Sequence, residues 1–191
     1  MAEAMPPHVH TFSGLLINPL DLQPEDVVLE DIAHHLSNQC RFSGGTRWHY
    51  SVAQHAWIVS YDSEVVSAGR EWDALHHDDA EWVLQDMAKP LKTDPRLGQA
   101  YRGCEKRIER VLAPILDVTF PLEDPDKCVV KAADIRCLVT EARDLMHGHE
   151  HWTYYSDIVP YTTTIKKWSP EKAKRKWLAR HHELLALKEA E

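Results

Sequence analysis

The segment from Ala74 to Asp86 concentrates side chains that can hold a cation or move a proton. If this segment is helical, Asp78 lies three residues and His77 four residues before Glu81, so an imidazole and two carboxylates point to one side within one turn. A solvated acidic helix face is the simplest alternative. The apolar residues around the motif indicate a partly buried helix instead, where an adjacent His and Asp need a partner.

Two further polar residues occupy mid-helix positions in segments rich in apolar residues. His55 lies in Val-Ala-Gln-His-Ala-Trp at 52–57, and Asp134 lies in Lys-Ala-Ala-Asp-Ile at 131–135. Either residue alone is typical of a hydrogen-bonded core position. The chain contains 13 histidines, however, and histidine is the commonest metal ligand. Because His77 and Asp78 cannot surround one ion from their own helix, further ligands must come from other helices.

The order His55, then His77 and Asp78, then Asp134, on separate helices, resembles that of the HD-domain metal-dependent phosphohydrolases. The pattern His-Asp-x-x-Glu-x-x-x-x-Asp at 77–86, followed by Pro and Lys, is similar to the bacterial 5′-deoxynucleotidases of that superfamily. The upstream segments Cys-Arg-Phe-Ser-Gly-Gly-Thr and Tyr-Ser-Val-Ala-Gln-His resemble compact HD hydrolases of phages and bacteria, which include phage dATP triphosphohydrolases. The resemblance covers about residues 25–146.

This resemblance implies a role for each matching residue. One divalent ion (Zn, Mn, Co, Fe or Mg) would be bound by His55, His77, Asp78 and Asp134. Glu81 would handle a proton or orient the nucleophile, and Asp86 is a second candidate for that role.

The resemblance also points to residues that bind substrate. Arg41 would hold a phosphate and Phe42 would crowd the sugar at C2′, although the spacing to His55 is one residue shorter than in the deoxynucleotidases. An ordinary core phenylalanine is the alternative for Phe42. Lys92 matches the family pattern as a phosphate-binding cation, and the nearby Lys89 is a weaker candidate; for both, solvated surface lysines are the alternative.

The expected function is therefore hydrolysis of 2′-deoxynucleotides, with a deoxynucleoside triphosphate such as dATP cut to nucleoside and triphosphate. A 5′-deoxynucleotidase acting on monophosphates is the first alternative. The second is a nucleotide- or RNA-binding regulator with a structural metal, but such an ion needs neither Glu81 nor Asp86 nor Lys92.

An all-α fold is predicted to position these residues. After an irregular, proline-containing arm at 1–24, apolar residues at steps of three and four predict one domain over 25–191, with the motifs in 25–146 and a loop and basic helix in 147–191. Helices are expected from about 25 to 42, 51 to 69, 71 to 87, 94 to 112, 124 to 146 and 169 onward. Pro90 is expected to stop the third helix, and Asp94 and Asp124 are expected to cap the fourth and fifth. Only 161–165 carries a strand signal.

The composition limits the classes of partner that the chain is expected to bind. The formal net charge is -8: residues 1–165 carry -12 and residues 166–191 carry +4. The basic part is therefore local, and nucleic acid is not expected as the main partner. No stretch is long and apolar enough for a membrane span, and the four cysteines form no C-x-x-C pair. We expect a cytoplasmic homo-oligomer in a bacterial or phage-infected cell.

Overall fold

Helices make up nearly all the regular structure of residues 8–118 and 125–190, which are the residues that the computed structural model describes. The expected all-α class is confirmed. In chain order the helices are α1 (Leu29–Asn38), α2 (Val52–Val59), α3 (Ser63–Ser67), α4 (Glu71–His76), α5 (Glu81–Leu84), α6 (Lys89–Thr93), α7 (Gly98–Leu116), α8 (Pro125–Leu145) and α9 (Pro170–Lys188).

The helix α2 lies at the centre of the fold, because α1, α4, α8 and α9 all pack against it. Val52, Ala53, Ala56 and Val59 are at most 1% exposed, and burying a valine side chain stabilises the fold by about 1.5–3 kcal/mol. The C-terminal helix α9 also packs against α1 and α4, with Trp177 and Leu184 in the core. The last helix of the chain therefore supports the motif-bearing helices directly.

Two of the predicted helices are each divided. The helix expected over 51–69 becomes α2 and α3, because the Asp62 carboxylate accepts hydrogen bonds from the backbone N–H groups of Glu64 and Val65 and so starts a new helix. The helix expected over 71–87 becomes α4 and α5, joined by a turn at 77–80. It ends at Leu84, since Gln85 adopts a left-handed conformation with φ of 70°.

The predicted helix starts at Ser51 and Ser169 are confirmed. The Ser51 hydroxyl accepts a hydrogen bond from the Gln54 N–H, and the Ser169 hydroxyl accepts one from the Lys172 N–H. The start of α8 at Pro125 also agrees, whereas the expected cap Asp124 lies outside the described residues.

Three local expectations are wrong. Pro90 does not end a helix but lies in the first turn of α6, where a missing N–H is tolerated. The long helix expected from Asp94 begins at Gly98, because the Asp94 carboxylate caps a preceding turn through the N–H groups of Arg96 and Leu97.

The third concerns the strands. Residues 161–165 form no strand, and the arm contains a two-stranded antiparallel sheet, β1 (Val9–His10) with β2 (Leu16–Ile17). Among the described helices, none combines the length and apolar character needed to cross a membrane.

Candidate metal and phosphate site

The structure brings the four predicted metal ligands to one place. His55 comes from the middle of α2, His77 and Asp78 from the turn after α4, and Asp134 from α8. The His55 Nε2 atom lies 3.3 Å from His77 Nε2, 3.2 Å from Asp134 Oδ1 and 3.7 Å from Asp78 Oδ2. A second distance of 3.3 Å joins His77 Nε2 to Asp78 Oδ2. Three separate segments thus bring two imidazoles and two carboxylates close to one another, but of these four residues only His55, His77 and Asp78 have ligand atoms that all lie within 4.8 Å of one another. Asp134 joins them through His55 alone, and its other oxygen pairs with Lys131 at 2.5 Å.

The outer nitrogens of both imidazoles are held by acceptors. His77 Nδ1 lies 2.7 Å from the carbonyl oxygen of Ala74, which can only accept, so this nitrogen carries the proton. His55 Nδ1 lies 2.6 Å from Oε1 of Glu141 and donates to it in the same way. Metal-binding histidines typically donate their second nitrogen to a carbonyl or carboxylate in this manner, which aims Nε2 at the ion. The donor set therefore fits a divalent cation at the point where the Nε2 atoms meet.

The two carboxylates near His55 are held in the ionised form. Burial alone raises the pKa of Asp78, but the positive charges of His77, His55 and Arg41 outweigh it and lower that pKa. The pKa of Asp134 is lowered well below its usual value despite burial, mainly by its hydrogen bond to His55. Burial and Arg41 lower the pKa of His55, yet Glu141 and Asp134 outweigh them and raise it well above its usual value. Both carboxylates are ionised at neutral pH, and their negative charges favour a cation bound beside them.

Glu141 is a site residue that the sequence analysis missed. Its side chain is completely buried, and its two oxygens contact His55 Nδ1 at 2.6 Å, the Tyr50 hydroxyl at 2.8 Å and Arg41 Nη2 at 3.3 Å. Burial raises its pKa, but Arg41 and His55 bring it down to about 2. Its position seven residues after Asp134 on the same helix, and so on nearly the same face, is the signal that could have identified it.

The described residues contain two groups that could hold a metal ion, and both include His55. The second group consists of His55, Cys137 and Glu141 and is fully buried. Burial raises the pKa of the Cys137 thiol to about 11, so the thiol remains protonated and donates to Glu141 at 3.5 Å. Glu141 already accepts from three other groups. The first group, His55 with His77 and Asp78, is therefore the better cation site, with Glu141 behind it.

Arg41 and Phe42 lie beside this group in the tight turn Arg41–Gly44. The Arg41 guanidinium is buried and spans the site, with Nη1 3.4 Å from Asp78 Oδ2 and Nη2 bonded to Glu141. Phe42 and the following Ser43 both have left-handed backbone conformations, with φ of 55° and 52°. Two consecutive non-glycine residues in this region are costly and are typical of functional loops. The half-buried Phe42 ring lies edge-on to Trp152, with 6.1 Å between the ring centroids.

Glu81 and Lys92 are hydrogen-bonded to each other next to the metal-ligand group. Lys92 Nζ lies 2.7 Å from Glu81 Oε1 and 3.3 Å from Glu105 Oε1. Burial, and then the charge of Asp78, raise the pKa of Glu81 to about 8 even though Lys92 lowers it. The other Glu81 oxygen, Oε2, is buried and has no hydrogen-bond partner among the described residues. Glu81 is thus a carboxyl group able to hold a proton near neutral pH, with one oxygen unused.

The remaining two predicted residues are less closely tied to the site. Lys89 is exposed, and its Nζ donates to the Tyr155 hydroxyl at 2.6 Å rather than to an acidic residue of the site. Asp86 is half-buried and makes no hydrogen bond or ion pair with any residue of the described ranges. Its charge acts on Arg41 and Glu81 only through space.

The chain is clearly related to two bacterial proteins. It is 38% identical over 137 residues to the uncharacterized protein YfdR of Escherichia coli (strain K12), which covers 72% of this chain and 71% of YfdR. It is also 30% identical over 184 residues to the uncharacterized protein RCAP_rcc00048 of Rhodobacter capsulatus, covering 91% of this chain and 93% of that protein. No protein-family model matches. The chain therefore belongs to the family of YfdR and its Rhodobacter relative.

Proposed function

We propose that this protein is a divalent-metal-dependent phosphohydrolase of the HD-domain type that acts on 2′-deoxynucleotides, with deoxynucleoside triphosphates, and dATP in particular, as its substrates. The observation that carries the proposal is that His55 Nε2 lies within 3.7 Å of His77, Asp78 and Asp134, with Arg41 beside Asp78. A purely structural ion would need neither the adjacent guanidinium nor the buried Glu81 and Lys92 pair.

The proposed reaction joins water to the α-phosphorus of a deoxynucleoside triphosphate and breaks the bond from that phosphorus to the 5′-oxygen. The products are the deoxynucleoside and triphosphate. A divalent ion bound by His55, His77, Asp78 and Asp134 would supply Lewis acidity toward a phosphoryl oxygen and would lower the pKa of a bound water toward neutrality. Arg41, whose Nη1 already faces Asp78 at 3.4 Å, binds phosphate oxygens through its planar guanidinium. Lys92 supplies a second positive charge on the Glu81 side.

Glu81 is proposed as the group that delivers a proton to the departing 5′-oxygen. With a pKa of about 8, its carboxyl is mostly protonated at pH 7, which is the form that a general acid requires. Its partnerless Oε2 is the atom from which the proton would pass, while Oε1 is fixed by Lys92. Phe42 is proposed to fill the space beside C2′ and so exclude ribonucleotides.

A second candidate is hydrolysis of deoxynucleoside 5′-monophosphates to nucleoside and orthophosphate. The Glu81 and Lys92 pair favours it, because both residues belong to the segment that resembles the 5′-deoxynucleotidases. The metal ligands, Arg41 and Glu81 would keep the same roles with one phosphate in place of three.

The test is to incubate the purified protein with each dNTP, dNMP and matching ribonucleotide in Mn²⁺, Co²⁺, Zn²⁺, Fe²⁺ or Mg²⁺ and to separate the products by chromatography. Release of triphosphate from dNTPs supports the first candidate, and release of orthophosphate from dNMPs supports the second. His77→Ala, prepared in the same way, controls for contaminating phosphatases. Tight metal binding without turnover of any nucleotide would overturn both candidates in favour of a non-catalytic regulator.

A further inference from the structure

A second histidine network lies directly behind the turn that carries His77 and Asp78. His76 Nδ1 lies 2.5 Å from Oδ2 of Asp79, and His76 Nε2 lies 3.1 Å from Nδ1 of His181 on α9. The side chains of His76 and Asp79 are completely buried, while those of His77 and Asp78 face the metal-ligand group. The inner pair, His77 and Asp78, therefore faces the site, and the flanking pair, His76 and Asp79, faces the core.

With both imidazoles neutral, one assignment of tautomers satisfies the whole chain of hydrogen bonds. Asp79 accepts the Nδ1–H of His76, and the Nε2 of His76 accepts the Nδ1–H of His181. Burial, together with repulsion from His76 and His182, lowers the pKa of His181 to about 4, so this residue is neutral at pH 7. A neutral imidazole has one N–H to donate, and here it points toward the turn.

Aromatic rings hold His181 in this orientation. The Trp177 ring is stacked on the His181 ring with 5.8 Å between centroids, and Trp72 lies 4.9 Å from it on the α4 side. Trp72 is fixed in turn by its Nε1–H, which donates to the carbonyl oxygen of Leu116 at 2.9 Å. The position of α9 is thus transmitted to His76 by the His181 hydrogen bond and by the Trp177 ring, which lies edge-on to His76 at 5.1 Å between centroids.

Stability alone does not account for this network. Asp79 Oδ1 is buried and has no partner among the described residues, and an unsatisfied buried acceptor costs about 1–3 kcal/mol. The turn at 77–80 also interrupts what the sequence predicts as a continuous helix, so continuous helical hydrogen bonding does not fix the directions of His77 and Asp78. A buried side-chain tether on the opposite side of the turn supplies that constraint.

We propose that Asp79, His76 and His181 form a positioning network that fixes the His77 and Asp78 turn from behind and makes the metal affinity of the site depend on α9. The inference rests on the proposed metal site but not on the identity of the substrate. None of the three residues contacts the ligand atoms, so they act through the backbone of the turn.

The test uses Co²⁺, whose visible absorption reports the geometry of its ligands, and a competing chelator to measure affinity. His181→Phe keeps the ring between the tryptophans but removes the donor, and we expect it to weaken Co²⁺ binding by roughly 10-fold, the lower end of the effect of residues that orient metal ligands, and to alter the spectrum. His181→Asn places an N–H near the position of Nδ1 and is expected to restore both. His182→Phe, at the exposed neighbouring position, is the matched control and should bind Co²⁺ like the wild type.

Three outcomes would overturn the inference. A folded His181→Phe variant with wild-type affinity and spectrum would show that the network does not position the ligands. Equal losses in His181→Phe and His181→Asn would assign the effect to general packing of α9. Wild-type protein that binds no Co²⁺ would remove the metal site itself, whereas normal Co²⁺ results without nucleotide hydrolysis would count only against the proposed reaction.

Discussion

Replacing Glu141 by Gln keeps the shape of the side chain but removes the fully buried one of the two carboxylates that neutralise the Arg41 guanidinium. The pKa of Glu141 is about 2, against an ordinary value of 4.5, and this difference corresponds to about 3 kcal/mol of folding free energy at pH 7. Because the pKa is depressed in the folded protein, the stabilisation is fully present above pH 4.5 and is lost as the pH falls toward 2. At pH 3 about 1 kcal/mol should remain.

The measurement is urea unfolding of wild type and Glu141→Gln in EDTA at several pH values between 7 and 3. The matched control is Glu64→Gln, because Glu64 also pairs with an arginine, Arg136 at 2.8 Å, but at an exposed position. That control should change the free energy of unfolding by no more than about 0.5 kcal/mol. Equal stability of Glu141→Gln and wild type at pH 7, or a difference that does not shrink toward pH 3, would refute the buried-charge explanation.

Three further predictions concern the proposed reaction. His77→Ala and Asp134→Ala should lose bound metal and activity together, as measured by elemental analysis and product release; stoichiometric metal in both purified variants would contradict the ligand assignment. Glu81→Gln should retain metal and substrate binding but slow turnover roughly 100-fold. The wild-type activity is expected to fall as the pH rises through about 8, and this fall should be absent from the variant; wild-type turnover would remove Glu81 from the mechanism. Phe42→Ala should lower the ratio of dATP turnover to ATP turnover, because it opens space beside C2′ for a ribose hydroxyl. An unchanged ratio in a folded variant would contradict the sugar-exclusion role.

Arg41 has a structural role in addition to the substrate-binding role that the sequence predicts. It lies between Asp78 and Glu141, and its side chain is about nine-tenths buried. Removing it would leave the buried Glu141 and the partly buried Asp78 without their shared cation, so an Arg41→Ala variant is expected to be destabilised as well as impaired in substrate binding. Comparison of its unfolding curve with its substrate affinity separates the two effects.

The sequence by itself determined the all-α class, the helix starts at Ser51 and Ser169 and the residue types of the candidate site. Helix periodicity and N-caps depend on residues only a few positions apart, so a single chain segment carries all the information. The choice of His55, His77, Asp78 and Asp134 came from their order along the chain, and the structure places them together.

Only the tertiary structure decided how these residues are held. The turn that separates His77 from Glu81 is tethered by His181, which follows His76 by 105 residues, and no local pattern encodes that contact. In the sequence, Glu141 resembles any polar residue of a helix. Its role depends on the packing of α8 beside α2 and beside Arg41, which precedes Glu141 by 100 residues. The pKa of Glu81 likewise depends on burial and on Asp78, which only the folded chain provides. Long-range burial and charge, unlike helix periodicity, are properties of the packed molecule, and they turn a set of polar residues into a site.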